Sequence, residues 1–177
     1  SLDQERIAKV LSNKGNILTH LNDYDGAVEN FIKAISVNKK LKNKTSLSHN
    51  YTNIGLIYLR EKKNDKANHY FQLSLKLDQQ LLDSSGIAVD YINLGSVQLN
   101  KNKLLNATKY FNKALHFFIT QGKLRNQIVA YTHLGQSALL AQNYKLSKKH
   151  YTTAIQLANQ IEAPGLLMNL FGEYAKV

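Results

Sequence analysis

Apolar and polar positions follow a helical rhythm, broken at short intervals by Asn, Asp, Gly and Lys, and the whole pattern recurs every forty residues. Gly15, Gly55, Gly95 and Gly135 are spaced by 40. Twelve residues beyond each stand Ala27, Ala67, Ala107 and Ser147, and four further on Phe31, Phe71, Phe111 and Tyr151. Three more give Ala34, Ser74, Ala114 and Ala154. Four residues before the glycines lie Leu11, Tyr51, Tyr91 and Tyr131, and immediately before them Lys14, Ile54, Leu94 and Leu134. Self-similarity at a fixed period of this length marks an array of supersecondary units.

Each copy predicts two helices. In the first, an aromatic, a Gly four later and an apolar residue three beyond share a face, as in Tyr51, Gly55 and Tyr58. Glycine inside a helix costs about 1 kcal/mol against alanine, so four in register require a packing reason. With no Cβ there, the helix is expected to approach its neighbour's backbone. Asn22-Asp23, Asn64-Asp65, Asn102-Lys103 and Asn143 are expected to break the first helices. The second helix carries Ala27, Phe31 and Ala34 at i, i+4 and i+7, small residues flanking one large knob. Asn43 to Ser46, Asp83 to Gly86 and Gly122 are expected to close the pairs, with Ser84-Ser85-Gly86 a stop followed by a new cap. A single proline leaves long helices uninterrupted and argues against a loop-rich all-β fold.

This pattern resembles the tetratricopeptide repeat, whose signature is an aromatic, Leu-Gly, a Tyr, then Ala, an aromatic and Ala. Two features depart from the family: the period is 40 rather than about 34, and the proline that ends a standard repeat is missing. Both resemble the long-helix variety of kinesin light chain, the Pins-type adaptors and bacterial regulators and sensors. Lys14 and Gln98 also break the apolar pattern. The resemblance implies an all-α fold, a right-handed superhelical solenoid of antiparallel helix pairs. The repeats are expected at about 5–44, 45–84, 85–124 and 125–164, with a fifth starting at 165–177. In that fifth copy Phe171 stands where Tyr131 stood and Ala175 takes the glycine phase. Starting at Ser1 without Met, and ending inside that expected helix, the chain reads as a piece of a larger protein.

In such a stack the first helices line the concave side. Positions six before, two before, one after and five after each glycine form one face. They are Lys9, Asn13, Asn16 and His20, then His49, Asn53, Leu56 and Arg60. The later copies supply Val89, Asn93, Ser96 and Asn100, then Val129, His133, Gln136 and Leu140. Asn13, Asn53 and Asn93 share one phase, and His133 completes the column. An amide side chain carries donor and acceptor together, so it can hold a peptide backbone without reading its sequence. Kinesin light chain and Pins-type proteins carry an Asn at this phase that contacts bound peptide. The resemblance therefore implies that role for Asn13, Asn53 and Asn93. The structural alternative is that each Asn satisfies neighbouring helix groups. Lys9, His20, His49 and Arg60 make the early side basic, whereas Val89, Val129, Leu99, Leu139 and Leu140 make the later side apolar. A partner segment combining acidic residues with apolar anchors suits both.

Composition narrows the classes. Formal net charge is +11, yet only three of the 23 basic residues are Arg, so bidentate base readout is poorly supplied. Nucleic acid on a lysine-rich convex face is therefore a weaker alternative partner. The absence of cysteine removes disulfides, thiolate metal sites and cysteine nucleophiles, and suits a reducing, cytoplasmic compartment. No apolar run approaches the roughly 20 residues that span a bilayer. Neither a phosphate loop nor a HExxH motif is present, and the six His are scattered, so no cofactor, metal site or catalytic group is expected. The expectation is a peptide-binding scaffold within a larger signalling or transcription-regulating protein, without catalysis. Self-association through Leu167, Leu170, Phe171 and Tyr174 is the rival.

Overall fold

The computed structural model describes residues 2–177. Ser1, where the sequence starts without a Met, lies outside the described residues. Those residues form nine α-helices and no strand: α1 (Leu2–His20), α2 (Tyr24–Lys40), α3 (Lys44–Arg60), α4 (Asn64–Leu81), α5 (Ser84–Asn100), α6 (Leu104–Thr120), α7 (Leu124–Leu140), α8 (Tyr144–Gln160) and α9 (Pro164–Tyr174). Short turns fold each helix back on the one before, giving the all-α array of antiparallel pairs. The chain divides into two compact units, one running to Asp90 and the other Tyr91–Val177.

The turns share one construction. Asn22, Lys42, Lys62, Leu82, Asn102, Gly122, Gln142 and Glu162, twenty residues apart, all have left-handed backbone (φ between 49° and 63°). Each closes a double bond pattern of the Schellman kind. The Asn22 N–H donates to the Thr19 carbonyl and the Asp23 N–H to the Leu18 carbonyl, and the same pair of bonds recurs at every turn. Only Gly122 is the residue that adopts this conformation without cost. Leu82, 85% exposed with φ 55°, is the least suited. Leu82→Gly is expected to raise the unfolding free energy by roughly 0.5–1 kcal/mol, after the extra freedom glycine gives the unfolded chain. Urea titration followed by circular dichroism checks it, and an unchanged or lowered midpoint would refute it.

Some expected boundaries move. Asn64 and Asp65 do not break a helix but open α4, and the turn lies at residues 61–63. An acidic first turn favours a helix start, which is why an Asn-Asp pair is ambiguous on paper. Lys44–Ser46 and Ser84–Gly86 likewise form first turns rather than closures. The cap of α5 is Asp83, whose Oδ1 accepts from the Ser85 and Gly86 N–H groups. Asp23, Asn43 and Asn143 cap α2, α4's predecessor α3 and α8 in the same manner. Ala175, expected at a mid-helix glycine phase, is the C-cap of α9, which closes at Tyr174.

The repeated glycines have a reason other than the expected one. A Cβ on Gly15 would stand 2.7 Å from the Phe31 ring, and Gly55 and Gly95 face Phe71 and Phe111 in the same way. The space is needed for the aromatic knob of the following helix, not for its backbone. At Gly135 the neighbour is Tyr151, and the approach is looser at 3.0 Å. Phe31, Phe71, Phe111 and Tyr151 are fully buried by this arrangement. In the first unit, Phe31 joins Ala27, Ile35, Leu47, Ile54 and Ile57 in one core. In the second, Tyr151 packs with Ile128, Ala154, Ala158 and Leu170.

α1 departs from its successors. Its Ile7, Val10 and Ile17 are exposed, Val10 at 65%, as is Leu21 in the turn that follows. Forty residues on, Leu47, Asn50 and Ile57 occupy the first three phases and are buried, on a helix packed against α2. Only Ala8 and Gly15 are buried on α1 itself.

Candidate functional site

Within the first unit a cavity of about 790 Å³ gathers Lys9, Asn13 and Asn16 from α1 with His49 and Asn53 from α3. These are five of the residues expected on the binding stripe. Helical spacing puts each set on one face, and pairing of α1 with α2 and α3 brings the faces together. Asn53 Nδ2 donates to Asn16 Oδ1 at 3.1 Å, so one amide of the column is tied across adjacent repeats. Asn13 is exposed and Asn53 half-buried. Leu56 and Arg60 lie outside this lining. Arg60 sits at the end of α3, its Nη1 donating to the Tyr24 hydroxyl at 3.3 Å with the guanidinium 5.9 Å from that ring's centroid.

The second unit places its share of the stripe differently. Asn93 is buried, its Nδ2 without a partner. The Ser96 hydroxyl donates to its own helix at the Ile92 carbonyl, 2.9 Å. His133 stacks on Phe111, with ring centroids 4.8 Å apart and planes 10° from parallel. Burial lowers the His133 pKa, which the neighbouring Gln136 side chain partly offsets. Gln136 is exposed. The column is thus open to solvent at Asn13 and increasingly built into the packing at Asn93 and His133.

Sequence reasoning missed the wall behind the cavity. Asn38, Ser48, Asn50 and Asp78 line it and are all buried. The Ser12 hydroxyl donates to Asn50 Oδ1 at 2.9 Å. Ser74 Oγ lies 3.0 Å from Ser48 Oγ and 2.8 Å from Thr52 Oγ1. The Nδ2 groups of Asn38 and Asn50 have no partner, nor do the carboxyl oxygens of Asp90. A buried polar group left without a partner costs about 1–3 kcal/mol. Such a seam is a poor way to fill a core and a ready way to receive a hydrogen-bonding ligand. Its signal was present in the forty-residue alignment: Asn38 and Asp78 correspond to Phe118 and Ala158, and Asn50 and Asp90 to Ala130 and Leu170. Two junctions are polar where the later two are apolar.

Charge along this seam is suppressed by burial. Asp90, with Asp78 beside it, is pushed up to about 8 by desolvation and by that neighbouring carboxyl. Asp78 is raised as well, chiefly by burial and against the pull of Ser48, Asp90 and His49. The cavity therefore presents amides, hydroxyls and the buried Asp78 carboxyl, its pKa raised by burial, under a rim bearing Glu5, Lys9, His49 and Asp83. This chemistry suits hydrogen bonding to a peptide. Among the described residues no group of three or more His, Asp or Glu is placed to hold a metal ion.

Family models described as tetratricopeptide repeat match residues 6–80 and 91–116, together more than half of the chain. The chain belongs to the tetratricopeptide repeat family. No curated protein sequence matches it. Among solved structures, the array is similar to BtubC (BKLC) from P. vanneervenii at 17% identity and TM-score 0.76, over 98% of this chain and 78% of that one. It is similar to the apo form of RapI at 12% identity and TM-score 0.80, over 93% of this chain and 46% of RapI. A signal transduction ATPase with numerous domains, from Pyrococcus horikoshii and carrying a tetratricopeptide repeat sensor, matches at 12% identity and TM-score 0.84. That match covers 94% of this chain and 26% of the ATPase, so this tetratricopeptide array spans under half of RapI and about a quarter of the ATPase. At these identities the likeness is one of fold. No helix among the described residues is long and apolar enough to cross a membrane.

Proposed function

We propose that this tetratricopeptide array is a protein-binding module that holds an extended segment of a partner in the cavity of the first unit. The observation that carries the reading is the convergence of Lys9, Asn13, Asn16, His49 and Asn53 on one cavity over a buried seam with unpartnered amides. Asn13 and the free acceptor of Asn53 serve the backbone of the segment. Lys9 and His49 on the rim favour acidic side chains, and the exposed Val89 in the same lining favours an apolar one. The role involves no catalysis. Likeness in fold to RapI and to an ATPase with a tetratricopeptide repeat sensor supports a regulatory or sensory part within a larger protein. A ligand acts in such a part only by binding one state better than another.

A peptide library screened against the purified chain tests the proposal. Hits are expected to lose about tenfold or more in affinity in Asn13→Ala/Asn53→Ala, the equivalent of about 1.4 kcal/mol for two charge-free hydrogen-bonding groups. Both positions lie outside the buried core, so helicity and melting are expected to hold. Hits that bind the double variant undiminished would move the site elsewhere.

A further inference from the structure

A second cavity, of about 880 Å³, lies in the second unit between α5 and α6. Its walls are the half-buried rings of Tyr91, Tyr110 and Phe117, and its rim carries the exposed Lys109, Lys113 and His116. In the preceding repeat a tyrosine fills the corresponding space. There Tyr58 stacks on Tyr70, centroids 5.6 Å apart and planes 29° from parallel. Lys66 Nζ stands 5.2 Å from the Tyr58 ring centroid and Lys63 Nζ 5.9 Å. Forty residues on, Tyr70 becomes Tyr110 and Tyr58 becomes Gln98. The supporting pair is unchanged, with Tyr51 and Tyr70 6.1 Å apart and Tyr91 and Tyr110 6.0 Å apart. The frame that receives a tyrosine is therefore kept, the tyrosine is not, and Gln98 borders the opening.

From this vacancy we infer that the α5–α6 cavity is a docking site for an aromatic side chain of an acidic protein segment, which enters where Tyr58 lies in the preceding repeat. The ring gains offset contact with Tyr110 and Tyr91, worth about 0.5–1.5 kcal/mol beyond its buried area. Charge selects the neighbours of that ring. Residues 91–177 hold ten Lys or Arg against two acidic residues, Glu162 and Glu173, and Glu173 is already paired with Lys176. Lys113 Nζ rests 5.2 Å from the Tyr91 centroid, placing an ammonium beside the entering ring. Acidic residues flanking the aromatic would meet Lys109, Lys113 and His116, and no carboxylate is among the described residues that line the cavity. The site is separate from the first-unit cavity and does not depend on it.

The test uses the whole chain and a dye-labelled pentapeptide, acetyl-Glu-Glu-Tyr-Glu-Glu-amide, read by fluorescence anisotropy. Binding is expected to weaken about tenfold when the peptide's Tyr becomes Ala, and to weaken with added salt. Gln98→Tyr supplies the missing ring from within and is expected to abolish binding while keeping or raising the melting temperature. Lys109→Glu/Lys113→Glu, both exposed, is expected to weaken it at least as much without loss of helicity, and stands should Gln98→Tyr misfold. Asn13→Ala/Asn53→Ala is expected to leave it unchanged, which separates this site from the groove. Equal affinity for the Ala peptide, binding that survives both α5–α6 variants, or no binding at millimolar peptide would each overturn the assignment. So would oligothymidylate binding that Gln98→Tyr removes while the peptide fails to bind, since that result would assign the cavity to single-stranded nucleic acid.

Discussion

Phe111→Ala is expected to lower the unfolding free energy of the second unit by about 3–5 kcal/mol. Phe111 is fully buried, fills the space left by Gly95 and carries the His133 ring on its face. Truncation removes both contacts at once and leaves a void that the helix pair must close over. Stability for a domain this size is of the order of 5–15 kcal/mol, so a loss of that size is seen as an early transition in urea. The companion change is Gly95→Ala. On an open helix it would add about 1 kcal/mol; here the new methyl runs into the Phe111 ring, and a cost of about 1–3 kcal/mol is expected instead. In Gly95→Ala/Phe111→Ala the methyl has room, so the double variant should be more stable than the two single losses predict. Gly135→Ala, facing Tyr151 at 3.0 Å, should cost less than Gly95→Ala. Additive losses at the Gly95–Phe111 pair would show that glycine is not there for the ring.

The second large effect is one of pH. Asp90 titrates at about 8 in the folded chain against about 3.9 when unfolded. Between those values the folded chain keeps a proton that the unfolded chain has released. The stabilising contribution is complete below about pH 4 and is lost as pH rises through about 8, at up to about 1.4 kcal/mol per pH unit. Asp78, raised by burial, acts in the same direction. His133 and His150, both lowered by burial, act oppositely around and below about pH 6.5. The contrast with Asp90→Asn isolates the residue, because asparagine keeps the shape and cannot ionise. Urea midpoints at pH 5 and pH 8.5 should fall for the native chain by the equivalent of roughly 2–5 kcal/mol relative to the variant, and the variant should be the more stable at the higher pH. Parallel pH profiles for the two would sink the assignment.

The fold was legible because its determinants lie in phase. Gly15, Gly55, Gly95 and Gly135 with their aromatic partners mark the helix pairs before any coordinate is known. What the glycine faces was not legible: both a backbone and a ring need room, and only the direction of the Phe31 side chain decides. Asn64-Asp65 was misread because the same residues end one helix and begin another. The stripe of Lys9, Asn13, Asn16, His49 and Asn53 could be found by helical spacing alone, since convergence across neighbouring repeats follows from the period. The seam of Asn38, Asn50, Asp78 and Asp90 could not. A lone Asn or Asp on a helix reads as solvent-facing until its partner on the next helix is located. Asn93 and His133 share a phase with Asn53 but not its surroundings, because the neighbours that bury them differ between repeats.

The uncovered stripe of α1 has a thermodynamic consequence. With two buried residues, against six on α3, α1 should exchange its amides with solvent more readily than α3, through local opening rather than global unfolding. Lys9, Asn13 and Asn16 are carried on that helix. Whatever occupies the first-unit cavity must therefore hold α1 closed, and its measured affinity is reduced by the fraction of time α1 is open. Changes remote from the cavity, at Ile7, Val10 or Ile17, can thus tune binding without touching the ligand, by setting how often one wall of the cavity is in place.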